Sequence, residues 1–388
     1  MKVLLKALVV ILILSQGCKN GKIELNQFSS SNDTLIIGTY KLKGSGPFSL
    51  GVSPGYFEDT DAKFSYPVLL PENIIGAKRM QMLTDYRAET KHYIDIIKGR
   101  IGEDQVFIVD QNNNKNMTDD SIRVCRPIEW QSEDHLIECI YSISKQRKII
   151  KDTSWLRMGL INDVLWGGRS EHLIAEFMID KEKFQVGIVA PRIGDFTYSY
   201  DPDIALISHN LIMVDSLNDR DILKQGEVIK LNDNYYRFDN ISYYGDSLTL
   251  VKEHDFDKLI GIQVGMIAPD FTCLTVSGDT IKSTSLHDKI MIIANSCGCG
   301  GDIKSTEAYY EILNKYGDKI HILRLDSRID KDLEGNHVDM ENKFNKDIYN
   351  KYRNAYCSRT CYVVGRNNRI IDKFPMEEWD NNLLKLIY

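Results

Sequence analysis

Two cysteines, Cys297 and Cys299, are the residues of this sequence best placed to do chemistry. They lie on a glycine-rich turn that follows a short apolar run, from Lys289 to Ser296, which is typical of a buried strand. A helical pattern then extends from about Asp302 to Tyr316, and Asp302 is a suitable N-cap residue. Because a helix N-terminus carries partial positive charge, it stabilises a thiolate and makes it a better nucleophile at neutral pH.

The spacing of these two thiols predicts a redox pair. A disulfide across one intervening residue closes a small ring that is hard to form without strain, and strained disulfides are more easily reduced. Such a pair is expected to be a good oxidant or an isomerase-like exchanger, with Cys297 attacking and Cys299 resolving. The alternative is that both thiols are inactive relics in a degenerate domain.

The composition is that of an ordinary globular protein. Of the 388 residues, 43% are hydrophobic and 27% are charged. This length favours two or three domains. The net charge of −7 and the lack of a basic stripe in the sequence disfavour a role in binding nucleic acid.

The first residues read as an export signal. Lys2 and Lys6 precede a mostly apolar segment that is short for a membrane span, and Ser15-Gln-Gly-Cys18 ends it. This ending resembles a bacterial lipobox, although Ser15 stands where that motif usually has Leu. The resemblance implies a lipoprotein-type signal peptide at 1–17 and lipidation of Cys18. The alternative is cleavage without lipidation. Residues 18–33 are then expected to be a tether.

Export affects how the remaining cysteines are interpreted, because thiols outside the cytosol can pair. Seven follow Cys18, an odd number, so at least one must stay unpaired within the chain. They are Cys125, Cys139, Cys273, Cys297, Cys299, Cys357 and Cys361.

Residues 34–258 are predicted to form a β-rich region, possibly of two modules. Short alternating runs broken by turn residues favour antiparallel sandwich or barrel-like modules. Hairpins are expected at 136–152 and at 172–190, and one helix is considered near 84–97. A boundary near 259–264 separates this region from a last part, 259–388, where strands alternate with helices.

The last part of the chain resembles the thioredoxin superfamily, most closely the exported TlpA-type and peroxiredoxin-like redoxin domains. Gly265-Met-Ile-Ala-Pro-Asp-Phe271 matches the family's opening G-x-x-A-P-D-F, and Tyr362 to Ile370 resembles its late strand–turn–strand. The resemblance implies an α/β thioredoxin-like C-terminal domain, with a central mixed sheet flanked by helices, preceded by the β-rich antiparallel region. Upstream segments at 110–121 and 226–251 resemble those that accompany redoxin domains in exported proteins of Bacteroidetes-type bacteria.

The sequence departs from the family pattern at two places. The usual W-C-x-x-C is replaced by Cys297-Gly-Cys299 without a Trp, and no proline occupies the segment where the family has a cis-proline. Cys357 and Cys361 stand there instead. The family topology implies that this loop faces the turn at 297–299, which would bring four sulfurs close together.

Cys357 and Cys361 admit three interpretations. They could form a second dithiol pair that relays electrons, or a structural disulfide. Alternatively, all four sulfurs could hold Zn²⁺ or Cu(I), since both ions accept thiolate ligands. Copper-chaperone members of the superfamily use two Cys and a loop His, so His337, in the insertion 326–339, is included as a weak metal-ligand candidate.

Other chemically capable residues favour structural roles. Alternating oxygen donors from Asp110 to Asn116 resemble a calcium loop, but Lys115 and Ser121 stand where such a loop needs Gly and Glu, so a polar hairpin loop is favoured. Cys125 and Cys139 suit either a disulfide or buried free thiols. Cys273 is expected in the core.

The sequence therefore predicts an exported, lipid-anchored thiol–disulfide oxidoreductase-like protein of the cell envelope, facing the periplasm or the cell surface. Its expected partners are exported thiol or disulfide proteins and a redox donor, and no cofactor is expected. The rival hypotheses are a non-catalytic binding or scaffold lipoprotein with a degenerate thioredoxin-like module, and a metal carrier.

Overall fold

The computed structural model describes residues 25–48, 52–55, 57–58, 66–129, 132–191, 194–210, 212–213, 217–298, 302–327, 329, 333, 335–353 and 359–387. The expected signal peptide, Cys18, Cys299 and Cys357 lie outside these ranges. The tether is described only from residue 25 onward, where residues 26–28 already form a strand.

The described part of the β-rich region contains eighteen strands. They are β1 (Asn26–Phe28), β2 (Thr34–Lys43), β3 (Val52–Pro54), β4 (Phe57–Glu58), β5 (Ile75–Leu83), β6 (Tyr93–Ile101), β7 (Asp104–Val109), β8 (Arg123–Val124), β9 (Ile137–Lys145), β10 (Lys148–Ile161), β11 (Val164–Ile179), β12 (Glu182–Val189), β13 (Asp203–His209), β14 (Ile212–Met213), β15 (Leu223–Lys224), β16 (Val228–Leu231), β17 (Asn234–Ile241) and β18 (Ser247–Glu253).

Two sheets make up this region. The larger follows the order β14-β13-β12-β11-β2-β18-β17-β16, with β1, β3, β9, β10 and β15 attached beside this path, and the smaller has the order β4-β5-β6-β7-β8. Nearly all neighbours are antiparallel, and both expected hairpins are present as β9–β10 and β11–β12. Successive side chains of β2 point to opposite faces of the sheet, so Leu35 and Ile37 are fully buried while Ile36 is exposed. The antiparallel β-rich expectation is confirmed.

The prediction of a helix near 84–97 is wrong. Residues 93–101 are strand β6, which lies between β5 and β7 in the smaller sheet. Three of its isoleucines, Ile94, Ile96 and Ile97, are buried. β-Branched residues fit a pleated, buried surface, so pairing on both sides decides the conformation in favour of a strand.

The carboxy-terminal part has seven strands and four α-helices among the described residues. They are β19 (Thr272–Leu274), β20 (Thr280–Lys282), β21 (Ile290–Ser296), α1 (Ile303–Tyr316), β22 (Ile320–Asp326), β23 (Asn336–Asp339), α2 (Lys346–Tyr352), β24 (Thr360–Val364), β25 (Ile370–Pro375), α3 (Trp379–Asn382) and α4 (Leu384–Ile387). β19 and β20 form an antiparallel hairpin. α2 is a helix of two turns, and α3 and α4 are single-turn helices that follow one another closely.

The five-stranded sheet of this part has the order β23-β22-β21-β24-β25. β21 is central: it pairs in parallel with β22 and antiparallel with β24. Its residues Met291 to Ser296 are buried because separate apolar clusters pack on its two faces, with Met291 and Ile293 on one and Ile292 and Ala294 on the other. A strand that is covered on both faces has a nearly continuous apolar sequence, and the apolar run from Lys289 to Ser296 predicted such a buried strand.

The predicted domain limits at 33/34 and 258/259 stay predictions. β18 ends at Glu253 and β19 begins at Thr272, so the predicted second limit falls in a segment between strands. Ile267, in this connection, forms isolated bridges with Ile260 and with Arg369, which immediately precedes β25.

Candidate functional site

Cys297 directly follows the central strand β21. The side chain is half-buried, and Cys297 is disulfide-bonded. The other described cysteines, Cys125, Cys139, Cys273 and Cys361, are free thiols. Among the described cysteines, Cys297 is therefore the one in a disulfide, and the predicted resolving residue Cys299 lies outside the described residues.

Asp302 anchors the thiol turn from the other side. It occupies the N-cap position of α1, as predicted, but its side chain makes no capping bond to the first turn of the helix. Its carboxylate instead accepts hydrogen bonds from the Ser296 hydroxyl, from the Ser305 hydroxyl at 2.7 Å and from the backbone N–H of Cys297. The end of β21 and the start of α1 are thus joined through one buried carboxylate.

The charge of Asp302 is balanced by Arg324 on the neighbouring strand β22. The Arg324 guanidinium nitrogen Nη2 lies 3.1 Å from Asp302 Oδ2, and both side chains are nearly completely buried. Burial alone would raise the pKa of Asp302, but the hydrogen bonds from Ser296 and Ser305 and the charge of Arg324 outweigh it and hold the pKa below its usual range. Asp302 is therefore an anion at neutral pH.

The network continues away from the thiol. Arg324 Nε lies 3.1 Å from Asp326 Oδ1, and Asp326 Oδ2 lies 2.7 Å from Nδ1 of His337. β22 and β23 are parallel neighbours, and the register that pairs Asp326 with Asp339 also places His337 opposite Arg324. A buried chain of charged and polar groups thus runs from the Cys297 backbone to His337.

The backbone before Cys297 is held by two further groups. The carbonyl of Ser296 accepts a bond of 2.9 Å from the Ser327 hydroxyl and one of 3.2 Å from Nη1 of Arg353, the residue after α2. Asn295, which is 2% exposed, donates from Nδ2 to the carbonyls of Tyr352 at 3.1 Å and Thr360 at 3.0 Å. These contacts fix the end of β21 relative to α2 and β24.

Cys361 is not presented to the thiol turn. It lies on β24 opposite Ala294, three residues before Cys297 along β21, and it is fully buried in the apolar cluster that also contains residues of α1. Burial raises the pKa of the Cys361 thiol well above its ordinary value, and the nearby carboxylate of Asp372 adds to this. Cys361 is a free thiol in this structure. Its pairing with Cys357, which lies outside the described residues, stays a prediction.

His337 is on strand β23 and not on a loop, contrary to the expectation for the insertion. Its side chain is 1% exposed and packs edge-on against the Tyr309 ring. Within the described residues, no group of three or more His, Cys, Asp or Glu side chains is arranged to hold a metal ion. The predicted metal-ligand set stays a prediction, because two of its five residues lie outside the described residues. The set is Cys297, Cys299, Cys357, Cys361 and His337.

Sequence reasoning missed Arg324 and Asp326 as parts of the site. The available signal was their position in an otherwise apolar strand, Ile-His-Ile-Leu-Arg-Leu-Asp. Charged side chains are seldom fully buried unless they are paired, so their occurrence in such a run indicates a partner elsewhere in the chain.

The other chemically capable residues named in the sequence analysis lie earlier in the chain than β21. The loop from Asp110 is closed by its own hydrogen bonds, and the Lys115 ammonium lies 3.0 Å from Asp95 and 3.7 Å from Asp110. Cys125 and Cys139 are unpaired thiols, so the disulfide considered for them is not formed. Cys273 is buried, as expected.

The connectivity of the carboxy-terminal sheet decides its fold. A central strand ends at the thiol, a helix crosses to a parallel neighbour, and a second helix leads to an antiparallel hairpin followed by terminal helices. This part of the chain has a thioredoxin-like fold. β23 adds a parallel strand at the edge beside β22.

Several solved structures match about a third of this chain. The thioredoxin domain of a thiol-disulfide oxidoreductase from Bacteroides vulgatus is 16% identical, with a TM-score of 0.29, and the match covers 33% of this chain and 100% of that one. A thiol:disulfide interchange protein from Bacteroides sp. is 16% identical at a TM-score of 0.29, covering 32% and 91%. The exposed lipoprotein thioredoxin of Streptococcus pneumoniae is 15% identical at 0.25, covering 31% and 98%.

No family model matches the chain, and no curated protein matches it. In the part of the chain that the structure describes, no helix has both the length and the apolar character required to cross a bilayer.

Proposed function

We propose that this protein is an exported thiol–disulfide oxidoreductase that exchanges disulfides through Cys297, with Cys299 as the resolving thiol. The observation that supports it most is the position of Cys297 at the junction of β21 and α1, half-buried and disulfide-bonded. By contrast, three of the four described free cysteines are buried, and their thiol pKa values are raised by burial. A raised pKa lowers the fraction of nucleophilic thiolate.

The proposed reaction is a two-electron exchange. The reduced protein's Cys297 thiolate attacks one sulfur of a partner disulfide, forming a mixed disulfide and releasing a partner thiolate, which takes up a proton. The Cys299 thiolate then attacks the Cys297 sulfur and releases the second partner thiolate. Two electrons pass from the Cys297–Cys299 dithiol to the partner disulfide, which becomes a dithiol. The reverse sequence oxidises a partner dithiol.

The proposed setting is the cell envelope. It is supported by the signal-like segment at 1–17 and by Cys18, whose lipidation would anchor the chain at a membrane. The proposed partners are exported proteins with thiols or disulfides, together with a redox donor that regenerates the dithiol. Cys357 is proposed as a secondary thiol near the site, and Cys361 as a buried thiol of the sheet.

A redox titration of the full chain tests the proposal. The protein is equilibrated with glutathione or dithiothreitol buffers, and the oxidised fraction of each cysteine is measured by mass tagging. We expect a reversible two-electron couple in the range of known exchangers, roughly −120 to −270 mV, that is lost in Cys297→Ser and in Cys299→Ser. Cys125→Ser, at a half-buried free thiol outside the site, is the matched control and should leave the couple unchanged.

Each other result has a defined meaning. Loss of the couple in Cys357→Ser, with Cys299→Ser unaffected, would make Cys357 the resolving thiol and overturn the assignment of Cys299. Absence of any couple involving Cys297 would refute the oxidoreductase function. Protection of the thiols only by added Zn²⁺ or Cu(I) would instead favour a metal carrier.

A further inference from the structure

The least expected feature of the site is the buried carboxylate attached to its backbone. Asp302 is ionised, almost fully buried and hydrogen-bonded to the backbone N–H of Cys297, so its charge lies close to the residue that carries the thiol. A negative charge there opposes thiolate formation, whereas the partial charge of a helix N-terminus favours it. Which effect prevails depends on how completely Arg324 neutralises Asp302.

Arg324 is itself shared between two carboxylates. It bridges Asp302 and Asp326, each through a nitrogen–oxygen distance of 3.1 Å, and also donates to the Thr306 hydroxyl at 2.7 Å. Its guanidinium lies 5.6 Å from the centre of the Tyr309 ring, on α1. One cation therefore neutralises two anions. The net charge near Cys297 is set by groups from β21, β22 and α1.

Among the described residues, His337 and Arg353 are further charged or titratable groups in contact with this network. His337 from β23 bonds to Asp326, at the end of the network away from the thiol. Arg353, after α2, reaches the carbonyl of Ser296 and is the second cation at the turn. The hydroxyls of Ser296 and Ser305 complete the contacts of Asp302 and carry no charge.

From this arrangement we infer that Asp302, neutralised by Arg324, is a positioning residue that holds the Cys297 backbone and restrains the nucleophilicity of its thiol. The inference rests on the proposed function, because it concerns the same thiol. It assigns opposite effects to the two partners: removing the carboxylate should activate Cys297, and removing the guanidinium should suppress it. A purely structural ion pair would not give effects of opposite sign.

The measurement is the pH dependence of alkylation at Cys297 in the reduced full chain, followed by peptide mass spectrometry in a Cys299→Ser background. A unit charge within several ångströms of a thiol in a partly buried site shifts the pKa of that thiol by about one unit once screening is included. We therefore expect Asp302→Asn to lower the apparent pKa of Cys297 by about one unit and Arg324→Gln to raise it by a similar amount.

Matched variants separate charge from folding. Asp288→Asn removes a carboxylate just before β21, at the opposite end of the strand from Cys297, and should leave the pKa unchanged. Arg324→Lys keeps the charge and should stay within about 0.3 units of the parent, an allowance well below the shift expected for a full charge. If circular dichroism shows that Asp302→Asn is unfolded, Arg324→Gln and Arg324→Lys still determine the direction in which this charge shifts the pKa of Cys297.

Unchanged profiles in folded Asp302→Asn and Arg324→Gln, or shifts in the same direction in both, would overturn the inference. Failure of the proposed function is recognised separately. In that case the parent protein has no reversible couple at Cys297, whatever the two substitutions do to alkylation.

Discussion

Asn295 offers the most direct test of how the site is held together. Its Nδ2 donates to the carbonyls of Tyr352 and Thr360, at the end of α2 and the start of β24. Asn295→Ala removes both bonds and leaves two acceptors without their donor. Unpaired buried polar groups cost about 1 to 3 kcal/mol each, so we expect a total loss of about 2 to 6 kcal/mol for the two acceptors.

The assay for this loss is alkylation of Cys361 under native conditions. Cys361 is fully buried, lies next to Thr360 on β24 and is reached only when the structure opens. When opening and closing are fast compared with alkylation, the labelling rate follows the opening equilibrium. A loss of about 2 to 6 kcal/mol should therefore accelerate the labelling of Cys361 by about 30-fold to about 20,000-fold.

Asn345→Ala is a matched control in the same domain. Asn345 is also fully buried, immediately precedes α2 and donates from Nδ2 to the carbonyls of Leu274 and Asp339. We expect it to accelerate Cys361 labelling as well, but to leave the redox midpoint at Cys297 unchanged, whereas Asn295→Ala should shift that midpoint. Acceleration of less than about threefold in Asn295→Ala would refute the energetic reasoning, since that corresponds to well under 1 kcal/mol. Equal midpoint shifts in both variants would refute the positional reasoning.

Two further predictions concern groups outside the thiol turn. Burial raises the pKa of Cys273 to about 11, so its thiolate fraction near neutral pH is roughly 100-fold below that of a thiol with the ordinary value of 9.0; native alkylation should label half-buried Cys125 well before it, and the reverse order would contradict this burial. The pKa of Asp95 is lowered, since the charge of Lys115 and hydrogen bonds from Tyr66, Lys115 and Arg79 outweigh the opposing effect of burial. Because the folded pKa is depressed, its stabilisation is complete above the unfolded pKa of about 4 and is lost as pH falls through the folded value. Acid unfolding should consequently show a smaller pH dependence in Asp95→Asn than in the parent, and an identical slope in both would rule out this role.

Local sequence signals were sufficient for the elements that carry the thiol. The apolar run that became β21, the glycine-rich turn and the periodic segment that became α1 are contiguous, so their pattern could be read without knowing the partners. The same holds for the β9–β10 and β11–β12 hairpins, whose strands are adjacent in the chain. Contiguous patterns depend mainly on side-chain periodicity and turn chemistry, which a sequence displays directly.

Expectations failed where distant residues decide the conformation. Residues 93–101 became a strand because β5 and β7 pair with both of its edges. His337 became part of an edge strand because β22 offers a partner for residues 336–339. In both cases the deciding hydrogen bonds come from strands that the local pattern does not specify.

The sequence by itself determined that a thiol follows a buried strand and precedes a helix, because those three features are neighbours in the chain. Only the tertiary structure decided what surrounds that thiol. The parallel register of β21, β22 and β23 brings Asp302, Arg324, Asp326 and His337 into one buried chain, and β24 turns Cys361 into the core. Such a network depends on which strands are neighbours and in what register, since burial is tolerated only when each charge finds its partner.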